Sequence, residues 1–75
     1  MRSREVEFAE QAIRRYLAQR PEAADTLEGI HRFWIQWPGP EAVDVTLAAL
    51  NRLEQAGFME RREIGGRSLW RRKPA

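Results

Sequence analysis

The spacing of apolar side chains in the first half of the chain predicts two amphipathic helices. From Arg4 to Gln19, apolar residues recur every three or four positions, and Arg20 precedes a proline that ends the helix. A second helix is predicted over residues 26–36, with Asp25 as its N-cap. The predicted buried face of the first helix is Val6, Ala9, Ile13, Tyr16 and Leu17. That of the second helix is Leu27, Ile30, Phe33 and Trp34, with Trp37 at its edge.

A third helix is predicted from Pro40 to Ala56. Pro40 suits the first helical position, where its missing N–H would have no helical partner. Gly57 supplies a left-handed residue after the helix, and Phe58 is expected to fold back on Leu53 in a Schellman motif. The predicted inward side chains of this helix are Val43, Thr46, Leu47, Leu50 and Leu53.

The chain closes with two strand-like runs, residues 58–64 and 67–72, on either side of Gly65-Gly66. Two glycines between such runs are typical of a hairpin with a type I′ turn. A two-residue loop pairs Ile64 with Arg67 and fixes every other pair in the hairpin. A slip of one residue would exchange the two faces, and the sequence alone leaves that register open.

This register places Arg61 opposite Trp70, where the guanidinium can lie on the indole ring. A very short strand near residues 24–26 is expected to pair with the hairpin as a third strand. Three helices followed by a hairpin define an α+β fold, and 75 residues suffice for a single domain over residues 1–75.

Composition narrows the class of protein further. There is no cysteine, so neither a disulfide nor a thiolate metal site can form. The N-terminal residues lead into a charged helix and contain no apolar signal-peptide core, and no run approaches the length of a membrane span. These features predict a cytoplasmic protein without membrane association.

Charge is distributed unevenly along the chain, although the net charge is only +2. Residues 57–75 contain six basic and two acidic side chains, a net charge of +4. Residues 1–56 contain seven basic and nine acidic side chains, a net charge of −2. A basic C-terminal end on a slightly acidic body indicates an anionic partner.

The order of elements, with the run from Leu47 to Arg61, resembles the winged helix-turn-helix superfamily. It is similar to the recognition helix and wing of bacterial MarR-type regulators, with the pattern L-x-x-L-x-x-x-G followed by two apolar residues. The matching residues are Leu50, Leu53, Gly57, Phe58 and Met59, and Gly65, Gly66 and Arg67 form the wing tip. The resemblance implies a small winged helix-turn-helix domain with three helices and a C-terminal hairpin wing.

The resemblance also implies binding to double-stranded DNA, and hence a transcription regulator or an accessory DNA-binding module. The third helix would enter the major groove while the wing follows the phosphates or the minor groove. Glu41 and Asp44 would repel phosphate, which leaves open that the helix reads no bases. The candidate residues on the helix are Val45, Ala48, Arg52 and Gln55, and those on the wing are Arg61, Arg62, Arg67, Arg71 and Arg72.

A second hypothesis rests on the aromatic second helix and the turn after it. Phe8, Ile35 and Trp37 fit the predicted core poorly and are expected to form an exposed apolar patch. Such a patch would suit a protein partner or a second copy in a homodimer. On this reading the chain is a winged-helix interaction module that does not bind DNA.

The sequence offers little for catalysis. His31 is the only histidine and is predicted to be an ordinary surface residue, with no second histidine or cysteine to complete a metal site. Ser3 and Ser68 have no evident base, and Gly65-Gly66 lacks the spacing of a phosphate-binding loop. We therefore expect no enzymatic activity, no cofactor and no metal.

Overall fold

The computed structural model describes residues 3–74, which contain three helices, a π-helix and three short strands. The α+β class predicted from the sequence is confirmed. Met1, Arg2 and Ala75, which the sequence assigns to the same domain, lie outside the described residues. The helices are α1 (Ser3–Gln19), α2 (Leu27–Gly29) and α3 (Val43–Gln55), and α2 continues into the π-helix Ile30–Trp34. The strands are β1 (Ala24–Asp25), β2 (Met59–Ile64) and β3 (Arg67–Arg72).

Helix α1 forms as its periodicity predicts. Its last turn is closed by the Arg20 N–H, which donates to the Tyr16 carbonyl at 2.9 Å, and Pro21 prevents continuation. The helix packs on α3. Its buried side chains are Val6, Ala9, Ala12, Ile13 and Leu17.

Helix α2 is capped by Thr26, so the prediction of Asp25 as its N-cap is wrong. The Thr26 hydroxyl accepts a hydrogen bond from the Gly29 N–H at 3.2 Å. Asp25 instead belongs to β1, where it pairs with Trp70, and its carboxylate accepts from the Thr26 N–H at 2.7 Å. The short strand predicted near residues 24–26 is thereby confirmed.

The second helix ends earlier than predicted, at Trp34 rather than Gln36, because its last five residues are wound as a π-helix. A π-helix bonds residue i to i+5, which lengthens the spacing of buried positions. Ile30 and Trp34 are buried in it, Ile35 is buried just after it where the backbone becomes extended, and Phe33 is 71% exposed. The prediction that Phe33 belongs to the core is wrong for this reason.

Helix α3 begins at Val43, three residues later than predicted. Ala42, its N-cap, has extended backbone angles, and the Glu41 carbonyl accepts a hydrogen bond from the His31 ring at 2.9 Å. This bond engages the Glu41 carbonyl outside the helix, and the segment from Pro38 to Pro40 remains non-helical.

The C-terminal end of α3 confirms the predicted Schellman motif. Gly57 has a φ of +79°, a left-handed conformation that a residue with a Cβ rarely adopts. The Phe58 N–H donates to the Leu53 carbonyl at 2.9 Å, and the Gly57 N–H donates to the Glu54 carbonyl at 3.0 Å. This cap turns the chain directly into β2.

The sheet is antiparallel with strand order β1-β3-β2, and the predicted hairpin register is confirmed. Ile64 pairs with Arg67, and Arg61 pairs with Trp70. Met59 and Trp70 are buried on the inner face of the sheet. The fully buried side chains beside them are Ile13, Leu17, Ile30, Leu50, Leu53, Val45 and Thr46.

Candidate nucleic-acid interface

The exposed face of α3 is rotated from the predicted one. Val45, a predicted base-contacting residue, is only 1% exposed, so that prediction is wrong. Leu47, expected to be buried, is half-buried, and Val43 at the helix start is 39% exposed. The buried stripe follows a different phase of the same helical period, through Val45, Thr46, Ala49, Leu50 and Leu53.

This phase brings Asn51 onto the outward face, between Ala48 and Gln55 at helical spacing. Asn51 and Gln55 are exposed, and Ala48 is half-buried. The sequence interpretation missed Asn51 because it started the apolar stripe at Val43. An alternative stripe that started at Val45 would have shown it. The C-terminal half of α3 thus exposes two amide groups suited to base edges, together with the charged side chains of Arg52 and Glu54.

Arg52, another predicted contact, lies toward α1. Its Nε is 2.9 Å from Oε2 of Glu10, an ion pair whose alignment does not make a hydrogen bond. About half of the Arg52 side chain is exposed, and Glu10 is mostly buried. Arg52 therefore joins α3 to α1 and is a weaker candidate for DNA than the sequence suggests.

The outer face of the hairpin combines basic side chains with one carboxylate. Glu60 pairs directly with Arg71 across the strands, and its Oε2 lies 2.7 Å from both Nε and Nη2 of that arginine. Arg62, two residues along β2, approaches the same oxygen only to 3.9 Å. Arg71 is thus held by its ion pair, while Arg62 remains more than half exposed.

The inner face of the hairpin places Arg61 on the Trp70 ring, with the guanidinium carbon 5.5 Å from the ring centroid, as predicted. Arg61 is also 3.9 Å from a Glu63 oxygen that accepts a hydrogen bond from Ser68. The guanidinium nevertheless remains about half exposed. Packing on an aromatic ring holds a guanidinium in place without neutralising its charge.

Arg72, at the end of β3, lies over the Phe58 ring at 5.6 Å, and Arg14 of α1 lies at 4.3 Å from the same ring. Phe58 is half-buried against the core. The two cations therefore meet the same aromatic side chain at the base of the hairpin. Arg72 is exposed there and keeps its charge at the surface.

Arg67 stands at the tip of the hairpin, directly after Gly66. It is exposed, and within residues 3–74 no carboxylate pairs with it. Arg67 and Arg61 line a cleft of about 540 Å³ that separates the hairpin from α2 and from Leu47 of α3. The tip arginine thus faces Leu47 of α3 and Glu28 of α2 across one concave surface, which Asn51 and Gln55 do not line.

The alternative apolar patch is only partly as predicted. Ile35 is 3% exposed and belongs to the core, so its place in a binding patch is wrong; the helix ends at Trp34, and Ile35 follows it with extended backbone angles. Phe8 is 39% exposed, and Trp37 is half-buried with its ring centroid 5.4 Å from that of Phe8. Phe33, which the sequence assigned to the core, is the most exposed large apolar side chain of the described residues.

His31 is engaged in structure rather than at the surface, contrary to the prediction. Its Nδ1 lies 2.6 Å from the buried Thr46 hydroxyl, and its Nε2 lies 2.9 Å from the Glu41 carbonyl. No group of three His, Asp or Glu side chains within residues 3–74 is arranged to hold a metal. The helices in that part of the chain are also too short or too polar to cross a membrane.

Comparison with family models gave no match, and comparisons with curated proteins and with solved structures also gave none.

Proposed function

We propose that the chain is a winged helix-turn-helix protein that binds double-stranded DNA, as a bacterial transcription regulator or an accessory DNA-binding module. The order α1-β1-α2-α3-β2-β3, with the sheet order β1-β3-β2, supports this assignment to the superfamily that the sequence resembles. The basic hairpin is the wing, and α3 is the recognition helix.

The single observation that carries the proposal is the position of Arg67. An unpaired arginine at a hairpin tip, across a cleft from Leu47 of α3, suits contact with the phosphates beside a groove. Arg61 and Arg62 lie behind it on the hairpin. Each has a guanidinium nitrogen 3.9 Å from a glutamate oxygen, too far for a hydrogen bond, so both are available to phosphate oxygens.

Phosphate contact by these three arginines accounts for most of the expected affinity. Binding releases counterions from DNA, so affinity falls with salt by a slope of about 0.9 for each phosphate contacted. Three contacts correspond to an affinity about 40-fold weaker at 200 mM than at 50 mM salt. Sequence preference would come from Asn51 and Gln55 on α3, which carry the amide groups that pair with adenine.

The test is fluorescence anisotropy with a labelled duplex of mixed sequence over that salt range. Arg67→Ala should weaken binding on every sequence and reduce the salt slope by about 1. Arg15→Ala on α1 removes one exposed arginine that does not line the cleft beside the hairpin, and should leave both quantities unchanged. No anisotropy change at 50 mM salt would contradict DNA binding, and equal slopes for Arg67→Ala and the wild type would contradict the role of the wing.

A further inference from the structure

A second concave surface lies between α1 and the π-helix, and we call it the Phe33 groove. It has a volume of about 590 Å³ and shares no lining residue with the cleft beside the hairpin. Its aromatic lining residues are Phe8, Tyr16, Phe33 and Trp34, and its charged lining residues are Arg15 and Arg20.

The floor of the groove is fixed by packing. Tyr16 and Trp34 are stacked, with ring centroids 4.4 Å apart and ring planes 12° from parallel. Trp34 is 6% exposed, so its ring belongs mainly to the core. The groove is therefore a formed feature of the fold rather than a gap between mobile side chains.

Phe33 projects from this floor because of the π-helix. In an α-helix the residue three positions after Ile30 would turn toward the core, and the sequence pattern predicted that position for Phe33. The π-helix buries Trp34 instead and leaves the phenyl ring of Phe33 71% exposed. Short π-helical segments occur frequently at functional sites, and here the segment produces an exposed aromatic side chain beside a groove.

The charge of the groove indicates what it would bind. Its lining contains two arginines and no carboxylate. The Arg20 guanidinium lies 4.9 Å from the Tyr16 ring centroid, a contact that orients it without neutralising it. Arg15 is exposed and forms no ion pair with any residue from 3 to 74. An acidic ligand would complement both cations.

Two other occupants fit the groove less well. A second copy related by two-fold symmetry would bring two surfaces with arginines and no carboxylate together, and like charges across an interface are unfavourable. Single-stranded nucleic acid needs open aromatic faces for successive bases. Tyr16 and Trp34 already stack on each other, and Arg32 lies over the Phe33 ring at 5.7 Å.

We propose that the Phe33 groove binds a short acidic segment of a protein partner. An apolar side chain of that segment packs on Phe33 and Phe8, and flanking carboxylates pair with Arg15 and Arg20. This recognition combines an apolar anchor with charge-assisted hydrogen bonds, as in other peptide-binding grooves. It goes beyond DNA binding and stands independently of it.

The test starts with a display library of random peptides of about 12 residues, selected on the full chain. We expect enrichment of sequences in which Asp or Glu flanks Leu, Phe or Trp. A synthetic peptide of the enriched class is then titrated by isothermal calorimetry. Phe33→Ala and Arg15→Glu should each weaken its binding by roughly tenfold or more. Ile64→Ala, which removes another exposed apolar side chain at 56% exposure, should leave binding unchanged.

Phe33 and Arg15 are exposed, so both variants are expected to fold, and circular dichroism checks this. Four results would overturn the proposal. These are a library without an enriched class, an enriched class without acidic residues, a peptide that binds Phe33→Ala as it binds the wild type, and occupancy by another ligand. Occupancy by a second copy would appear as dimers in sedimentation, and occupancy by single-stranded DNA as binding of oligothymidylate. In either case Phe33→Ala would abolish the association.

Discussion

At the residue scale, His31 shows how one side chain can hold together segments that the sequence treats separately. A carbonyl only accepts hydrogen bonds, so the nitrogen facing Glu41 carries a proton, and in the neutral ring Nδ1 accepts from the Thr46 hydroxyl. Trp37 adds a bond from its indole N–H to the His31 carbonyl at 3.2 Å. The π-helix, the proline-rich turn and α3 are thus joined around a single imidazole.

Replacing His31 with Ala should therefore destabilise the fold. The change leaves the buried Thr46 hydroxyl and the Glu41 carbonyl without their partner, and an unsatisfied buried polar group costs about 1–3 kcal/mol. The free energy of unfolding is measured by urea denaturation with circular dichroism. Gln36→Ala, an exposed change close by in the chain, should stay within about 0.5 kcal/mol of the wild type. A His31→Ala value within that same margin would show that the bonds contribute little.

Gly29 gives a second prediction at this scale, because its surroundings leave no room for a Cβ. The residue is helical and buried, and a Cβ built there would overlap the Asp25 carboxylate. Gly29→Ala should lower stability by displacing that carboxylate from the Thr26 N–H, a charge-assisted bond worth about 1.5–3 kcal/mol. In an Asp25→Ala background the same change should instead stabilise the helix by about 0.5–1 kcal/mol. The free energy of unfolding is measured by urea denaturation for the wild type, the two single variants and the double variant. Equal effects of Gly29→Ala in both backgrounds would exclude the overlap.

At the element scale, the sequence predicts best where a local residue type dictates the backbone. Gly57 and the Gly65-Gly66 pair adopt positive φ angles, and the α3 cap and the hairpin register follow directly from them. Periodicity fails where two phases or two windings are compatible with the same residues. The residues from Ile30 to Trp34 fit the apolar period of an α-helix, but they are wound as a π-helix that ends at Trp34. The exposure of Phe33 could not be read from the sequence for that reason.

The corrected phase of α3 leads to a prediction about base recognition. If α3 enters the major groove, Asn51 and Gln55 are the outward amides, and each bidentate amide contact with adenine discriminates by about 1–3 kcal/mol. Asn51→Ala and Gln55→Ala should flatten the preference among duplexes selected from a random pool, with little change in salt dependence. Competition anisotropy with the best duplex and a scrambled duplex measures the ratio of affinities.

Val45→Ala is not a suitable control for that experiment, because Val45 is buried and its truncation would act through stability. Glu54→Gln is better matched, since Glu54 is exposed beside the amide face and its side chain keeps the same size. An affinity ratio that is the same in Asn51→Ala as in the wild type would show that α3 does not read bases at this position.

At the scale of the whole molecule, two concave surfaces occupy different parts of a small rigid body. The radius of gyration is 11.5 Å, close to the value of about 11 Å expected for a compact domain of this length. The cleft beside the hairpin and the Phe33 groove have no residue in common; among residues 3–74, the first has Arg67 without an ion pair, and the second has Arg15 and Arg20. Such separation suits an adaptor that holds DNA with one surface and a protein segment with another.

Independence of the two surfaces gives the last prediction. Arg67→Glu should weaken duplex binding by roughly tenfold or more and leave the affinity for the selected acidic peptide unchanged, and Arg15→Glu should do the reverse. Because the two surfaces share no lining residue, saturating peptide should change the duplex affinity less than about twofold, a coupling free energy near zero. Anisotropy of the labelled duplex, with and without peptide, measures this in one titration. A decrease in duplex affinity that grows with peptide concentration, and that Arg15→Glu abolishes, would instead show that the acidic peptide and DNA compete for the same arginines.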